Sequence, residues 1–176
     1  MSTTKWVLDP THSEVGFKVK HLMFTNVSGN FTKFEATATS EDENFDNATF
    51  DFSADVDFIN TNNADRDGHL KSADFFDAEK FPKLTFKSTS VAKAEEGEYV
   101  VTGDLTLHGE TKVVTLAVEY GGIQKDPWGN IKSGFSVTGK INRKDFGLSW
   151  NAALETGGVM LGEEVKIALE LQFVKQ

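Results

Sequence analysis

Apolar and polar side chains alternate along most of this chain with a period of two. That rhythm turns one face of a β-strand to a core and the other to water. The cleanest run is 48–58, where Ala48, Phe50, Phe52, Ala54, Val56 and Phe58 share one face. Thr49, Asp51, Ser53, Asp55 and Asp57 share the other, an acidic row that reads as a solvated outer face rather than a cation site. Earlier, Trp6 to Leu8 forms a short strand ended by Asp9-Pro10, where proline fixes φ and lacks a donor. Val15, Phe17 and Val19 carry the alternation through 13–22, and Phe34, Ala36 and Ala38 carry it more weakly through 29–39.

The second half repeats the pattern. Leu84 and Phe86 open a strand towards Val91, and Tyr99, Val101, Gly103, Leu105 and Leu107 face one way in the next. A tight hairpin at Gly109-Glu110 returns through Val114, Leu116, Val118 and Tyr120. Gly121-Gly122 and 127–130 read as the following loop. Ile131, Ser133, Phe135, Val137, Gly139 and Ile141 then face inward, a phase that also includes Arg143. Residues 146–162 are irregular, Gly-rich and apolar, with Leu148, Trp150, Leu154, Val159, Met160 and Leu161. The last strand turns Val165, Ile167, Leu169, Leu171 and Phe173 inward.

One stretch breaks the rhythm. Residues 60–77 open with Asn residues able to cap a helix and place Arg66, His69 and Leu70 at spacings that share a helical face. Phe75 and Phe76 follow, and Phe81-Pro82 closes the segment. The prediction is therefore all-β: eight antiparallel strands in up-and-down order, with one short helix between the third and fourth, in a single domain spanning 1–176. Such strands pack as a sandwich or close into a barrel, and closure removes exposed strand edges. Small residues among the inward Phe side chains (Ala54, Gly103, Ser133, Gly139) favour a cavity over a filled core.

Composition removes several alternatives. A net charge of −9 argues against nucleic acid and against docking on anionic membranes. The chain has no cysteine, so disulfides and thiolate chemistry are excluded. No window approaches the ~20 apolar residues of a membrane span. The N-terminus shows no signal peptide, which predicts a cytoplasmic protein; a leader removed ahead of Met1 would make it periplasmic.

Catalytic motifs are weak. His12, His21, His69 and His108 lack metal-ligand spacing, and the carboxylates lie mostly on the outward phase. The chain is therefore expected to be no enzyme and to need no cofactor or metal. Arginine is used only twice, at Arg66 and Arg143, beside 16 lysines. Each suits a clamp on nearby carboxylates such as Asp65, Asp67 or Asp145, or a direct contact with an anion.

The chain resembles the YceI-like family, lipocalin-like bacterial proteins that bind polyisoprenoid lipids. The resemblance rests on 6–17, on 21–31, on 66–76 with Phe81-Pro82, and on 101–109, 142–147 and 162–167. It implies an eight-stranded antiparallel up-and-down barrel whose apolar tunnel holds a long isoprenoid lipid, such as a quinone or a polyprenyl phosphate or alcohol. The expected tail contacts are Phe17, Val19, Phe50, Phe52, Ala54, Val56, Phe58, Phe86 and Leu105. Leu116, Val118, Phe135, Val137, Ile167 and Leu169 complete the wall, and Leu70, Phe75, Arg66, His69 and Arg143 sit at the helix and strand ends. At roughly 0.3 kcal/mol per heavy atom, a tail of about 40 carbons gains on the order of 12 kcal/mol, so tight binding needs no charged head. The acidic chain disfavours a bare diphosphate unless Arg66, Lys71 or Arg143 offsets it, which ranks a neutral prenyl or quinone head at least level. A fatty acid or fatty amide carrier, or an enzyme using His69 on a lipid head, are the alternatives. A homodimer is left open.

Overall fold

The computed structural model describes residues 2–152, 154 and 160–176. The strands are β1 Thr3–Leu8, β2 Glu14–His21, β3 Thr25–Phe31, β4 Phe34–Glu41, β5 Asn44–Asp55 and β6 Ile59–Asn60. After helix α1, Ala64–Lys71, come β7 Lys83–Lys93, β8 Glu98–Leu107, β9 Glu110–Lys125, β10 Ile131–Asn142 and β11 Leu161–Lys175. All pairings are antiparallel. β1, β4, β5, β7, β8, β9, β10 and β11 neighbour one another in that order, and β11 pairs back to β1, so eight strands close into a barrel.

The remaining three strands continue the first three staves of the barrel past a bend. β2 follows β1 along β11, β3 pairs with β2, and β6 pairs with β3. Counted as broken staves, β1–β2, β3–β4 and β5–β6 restore the eight-strand, up-and-down order expected from the alternation. The breaks lie side by side: Asp55 N–H donates to Lys33 O at 3.0 Å and Thr32 N–H to Phe58 O at 3.0 Å. In the first break Asp9 caps the turn Pro10–His12, accepting from the Thr11 N–H and hydroxyl, while Lys132 Nζ lies 3.1 Å away. The Thr11 hydroxyl, then His12, hold the Asp9 carboxyl well below the usual carboxylate range.

Two expectations change here. The run 48–58 is not one strand: β5 ends at Asp55 and Val56–Phe58 form a single tight turn. Gly121-Gly122 is no loop either, because β9 continues to Lys125 and the pair forms a bulge opposite Gly134/Phe135, with Gly122 at φ 97°. A left-handed φ suits glycine, and the bulge bends a long strand around the barrel.

One end of the barrel is solid. Trp6 (0% exposed), Phe45 (2%) and Phe173 (1%) pack with Tyr99, Tyr120 and Phe135, and the Phe45 ring lies 5.1 Å from both Trp6 and Phe135. Trp6 Nε1 donates to Ser40 Oγ at 2.9 Å and the Tyr99 hydroxyl to Asp46 Oδ1 at 2.8 Å, so the polar tips of these rings are satisfied. Burial, then Asp46, pushes the Tyr99 phenol up to about 12.

Candidate functional site

The other end is hollow. A cavity of about 580 Å³ runs inside the barrel, within the range of small-molecule sites. Phe50, Phe135 and Phe173 form its floor against the aromatic plug. Its wall comes from inward positions of every long strand: Phe17 and Val19 on β2, Phe52 on β5, Phe86 on β7, Leu105 on β8, Leu116 and Val118 on β9, Val137 on β10, and Ile167 and Leu169 on β11. Polar groups collect at one end, where His21, Thr61, Asn63, Asp65, Arg66, His69 and Arg143 meet the opening. An apolar depth with a polar mouth is the shape of a site for an amphiphile.

Helix α1 forms one side of that mouth. Asn63 caps it, accepting from the Arg66 N–H at 3.0 Å, with Asp65 and Asp67 in the first turn and His69 and Lys71 in the last. Eight residues with Gly68 among them are too few to be stable alone, so side-chain ties hold the helix in place. Arg66 Nε donates to the Thr61 hydroxyl at 2.8 Å and Nη2 to Thr61 O at 2.7 Å, and Thr61 donates to Asp67. Phe75 is buried, Leu70 and Phe76 pack on Val15, Phe31, Ala54 and Ile59, and the helix sits over the cavity as a cover.

The segment after β10 forms the opposite side. Arg143 is 3% exposed, with Nε donating to Gly162 O at 2.8 Å and Nη1 to Leu148 O and to Trp150 O. It pins the irregular loop across the barrel end, and the Trp150 ring then lies 4.8 Å from His69 and 5.2 Å from Phe75. His69 Nε2 also meets Asp74 Oδ2 at 3.0 Å. Both arginines are clamps, but on backbone carbonyls and a hydroxyl rather than on the carboxylates expected. Arg143 Nη2 is buried and has no hydrogen-bond partner among the described residues, and the residue borders the cavity. Burial lowers the Arg143 pKa, opposed in part by the charge of Glu163.

The structure brings together Phe17, Val19, Phe50, Phe52, Leu70, Phe75, Phe86, Leu105, Leu116, Val118, Phe135, Val137, Ile167, Leu169, Arg66, His69 and Arg143 around this one cavity. Three expected contacts lie elsewhere. Ala54 is 0% exposed inside the packed cluster beneath α1. Val56 and Phe58 fall in the turn that breaks the strand, so the period-two phase no longer applies to them. Val56 is buried, whereas Phe58 is 45% exposed with Lys33 Nζ 5.1 Å above its ring. The inward glycines do not make the space, either. A Cβ on Gly103 would lie 2.5 Å from the Phe86 ring, and one on Gly139 would lie 2.5 Å from Leu116 Cδ2. They let those side chains lie flat on the sheet. The cavity lies instead between wall positions that are mostly Val, Leu and Ile.

The lining also includes Ile141, read as inward-facing, and Phe76, Leu84 and Trp150, noted in the sequence but not assigned to the site, while His21, Val27 and Phe31 were missed as lining residues. The alternation in 25–31 was the available signal for Val27 and Phe31, masked by polar residues and Gly29. Val159, read as part of the apolar loop, lies outside the described residues.

Closed antiparallel strands around an apolar cavity with a polar mouth define a binding-type barrel. The chain belongs to the YceI-like family, whose domain matches residues 6–173. It is 41% identical over 171 residues to a UPF0312 protein of Staphylococcus aureus strain N315, covering 97% of each chain. A YCEI protein of Campylobacter jejuni superposes with a TM-score of 0.78 at 34% identity, covering 96% of both chains. Burkholderia cenocepacia BcnA (TM-score 0.82, 24% identity, 94% of this chain and 98% of that one) shares the fold. So does a polyisoprenoid binding domain from Saccharophagus degradans (TM-score 0.69, 16% identity, 97% and 98%).

Proposed function

We propose that this protein is a non-catalytic carrier of a long-chain isoprenoid lipid, its tail in the barrel and its head at the α1 end. The observation that carries the reading is the polarity of the cavity, apolar from the floor at Phe50, Phe135 and Phe173 up to a mouth ringed by Arg66, His69 and Arg143. The relation in fold to a polyisoprenoid binding domain supports the lipid class. Arg143 Nη2, buried without a hydrogen-bond partner among the described residues, has N–H groups suited to a carbonyl of a quinone or an oxygen of a polyprenyl alcohol or phosphate. A buried cation whose three hydrogen bonds go to neutral carbonyls gains from such a partner. The binding role is supported by His69 being occupied by Asp74 and by two aromatic rings, and by Asp67 being engaged by Thr61.

Mass spectrometry of an organic extract of the purified protein tests this. A prenyl lipid at near-stoichiometric yield, with masses stepping by one isoprene unit, is the expected result. Protein that comes out empty and takes up neither quinones nor polyprenols refutes the carrier reading. Saturated acyl masses would reassign the ligand to a fatty acid or fatty amide.

A further inference from the structure

The hairpin of β2 and β3 differs from the rest of the surface. Its inner face belongs to the cavity wall through Val15, Phe17, Val19, Val27 and Phe31. Its tip, Leu22 to Phe24, projects from the mouth with Met23 59% and Phe24 72% exposed. Leu22 and Met23 lie at φ 52° and 67°, a left-handed conformation that glycine or asparagine adopts far more readily. Strain of this kind persists where the surrounding structure enforces it, commonly at functional positions. Here the strained turn presents two large apolar side chains to solvent.

Charge singles out the same hairpin. The net −9 disfavours anionic surfaces for the chain as a whole, yet past Glu14 at the far end of β2 the hairpin holds Lys18 and Lys20 and no carboxylate. Both lysines are exposed, and Lys166 on β11 lies directly opposite Lys18. The nearby carboxylates at the start of β11 are already paired, Glu163 with Lys144 at 2.7 Å and Glu164 with Lys140 at 3.6 Å. The tip is also joined to the cavity opening. Leu22 N–H donates to Met160 O at 2.8 Å and His21 pairs with Leu161, and His21, Met160 and Leu161 all border the cavity. The other large exposed apolar residues among those described lack this combination: Trp128 sits in the β9–β10 loop at the solid end, Val113 stands alone on β9, and Phe58 lies in the Val56–Phe58 turn with Lys33 over its ring. Isolated exposed apolar side chains are ordinary.

We propose that this hairpin is a membrane-docking finger. Met23 and Phe24 enter the headgroup–acyl boundary of a bilayer, Lys18 and Lys20 face its anionic headgroups, and lipid passes between bilayer and cavity beside the finger. The proposal rests on the carrier reading and adds where loading occurs. A short apolar tip and two lysines give reversible docking, as an exchange site requires.

Transfer of ubiquinone from phosphatidylcholine vesicles, with and without phosphatidylglycerol, tests it on the full chain. The Met23→Ser/Phe24→Ser variant should lose vesicle co-sedimentation and transfer ubiquinone at least about tenfold more slowly. Its uptake of ubiquinone delivered from ethanol should stay within about twofold of wild type, since no cavity residue has changed. Lys18→Gln/Lys20→Gln should remove the preference for anionic vesicles. A Phe24→Trp reporter should shift its emission to the blue when vesicles are added. Wild-type transfer rates in the serine variant, or emission from the Phe24→Trp reporter that vesicles leave unmoved, would overturn the finger while leaving the carrier reading intact. Failure of the wild-type protein to take up ubiquinone from ethanol would overturn both.

Discussion

Two tryptophans mark the two ends of this barrel. Trp6 is 0% exposed, in ring contact with Phe45 and hydrogen-bonded to Ser40. Trp150 is partly exposed, held against His69 and Phe75 by a loop that Arg143 ties down through carbonyls. The same alternating strands build both ends. At the solid end, inward Phe and Tyr rings reach across the barrel and touch. At the hollow end, Val, Leu and Ile outnumber rings along the inward wall, a cavity remains between them, and α1 and the loop cover it. Aromatic packing is therefore concentrated in the plug, and the cavity lies in the other half.

Substitutions should separate the two. Phe45→Ala removes a ring that contacts Trp6, Tyr120 and Phe135, and should cost about 3–5 kcal/mol in denaturant unfolding. An equal loss of lipid uptake under folding conditions would break the division. Ala54→Phe overpacks the cluster beneath α1 and should cost about 1–3 kcal/mol while leaving the cavity wall unchanged. Ile167→Trp does the reverse: it fills cavity volume, so stability should stay within about 1 kcal/mol and lipid uptake should fall at least about tenfold. Unchanged uptake in a titration with ubiquinone would mean that the lipid does not use this part of the wall.

The smallest effect is a pH dependence confined to the solid end. Tyr99 has its phenol pushed up to about 12, so the folded state prefers it protonated. That preference stabilises fully below about pH 10, the value of an unfolded tyrosine, and is lost as pH rises from there through about 12. Tyr99→Phe should flatten the alkaline loss in unfolding scans and cost about 0.5–1.5 kcal/mol at neutral pH for the hydrogen bond to Asp46. An identical alkaline profile in the variant would shift the effect to Tyr120, whose phenol is also raised by burial.

Periodicity alone was enough for the strands and for the phase of each. An inward phase on a closed sheet has one place to go, which is why Phe17, Phe86, Leu116, Val137 and Ile167 could be assigned to the interior before any contact was known. The capping signal at Asn63 likewise marked the helix locally. Tertiary structure decided what local rules do not reach. Three staves bend at one level, and this removed Val56 and Phe58 from the phase that strict alternation would give them with Phe52. Whether inward residues fill the barrel or leave it hollow depends on which side chains face each other across it, a long-range relation set by register and bulges. The arginines make the same point. Their rarity drew attention to Arg66 and Arg143, but only the fold showed that they hold carbonyls, because those acceptors belong to backbone that every sequence has.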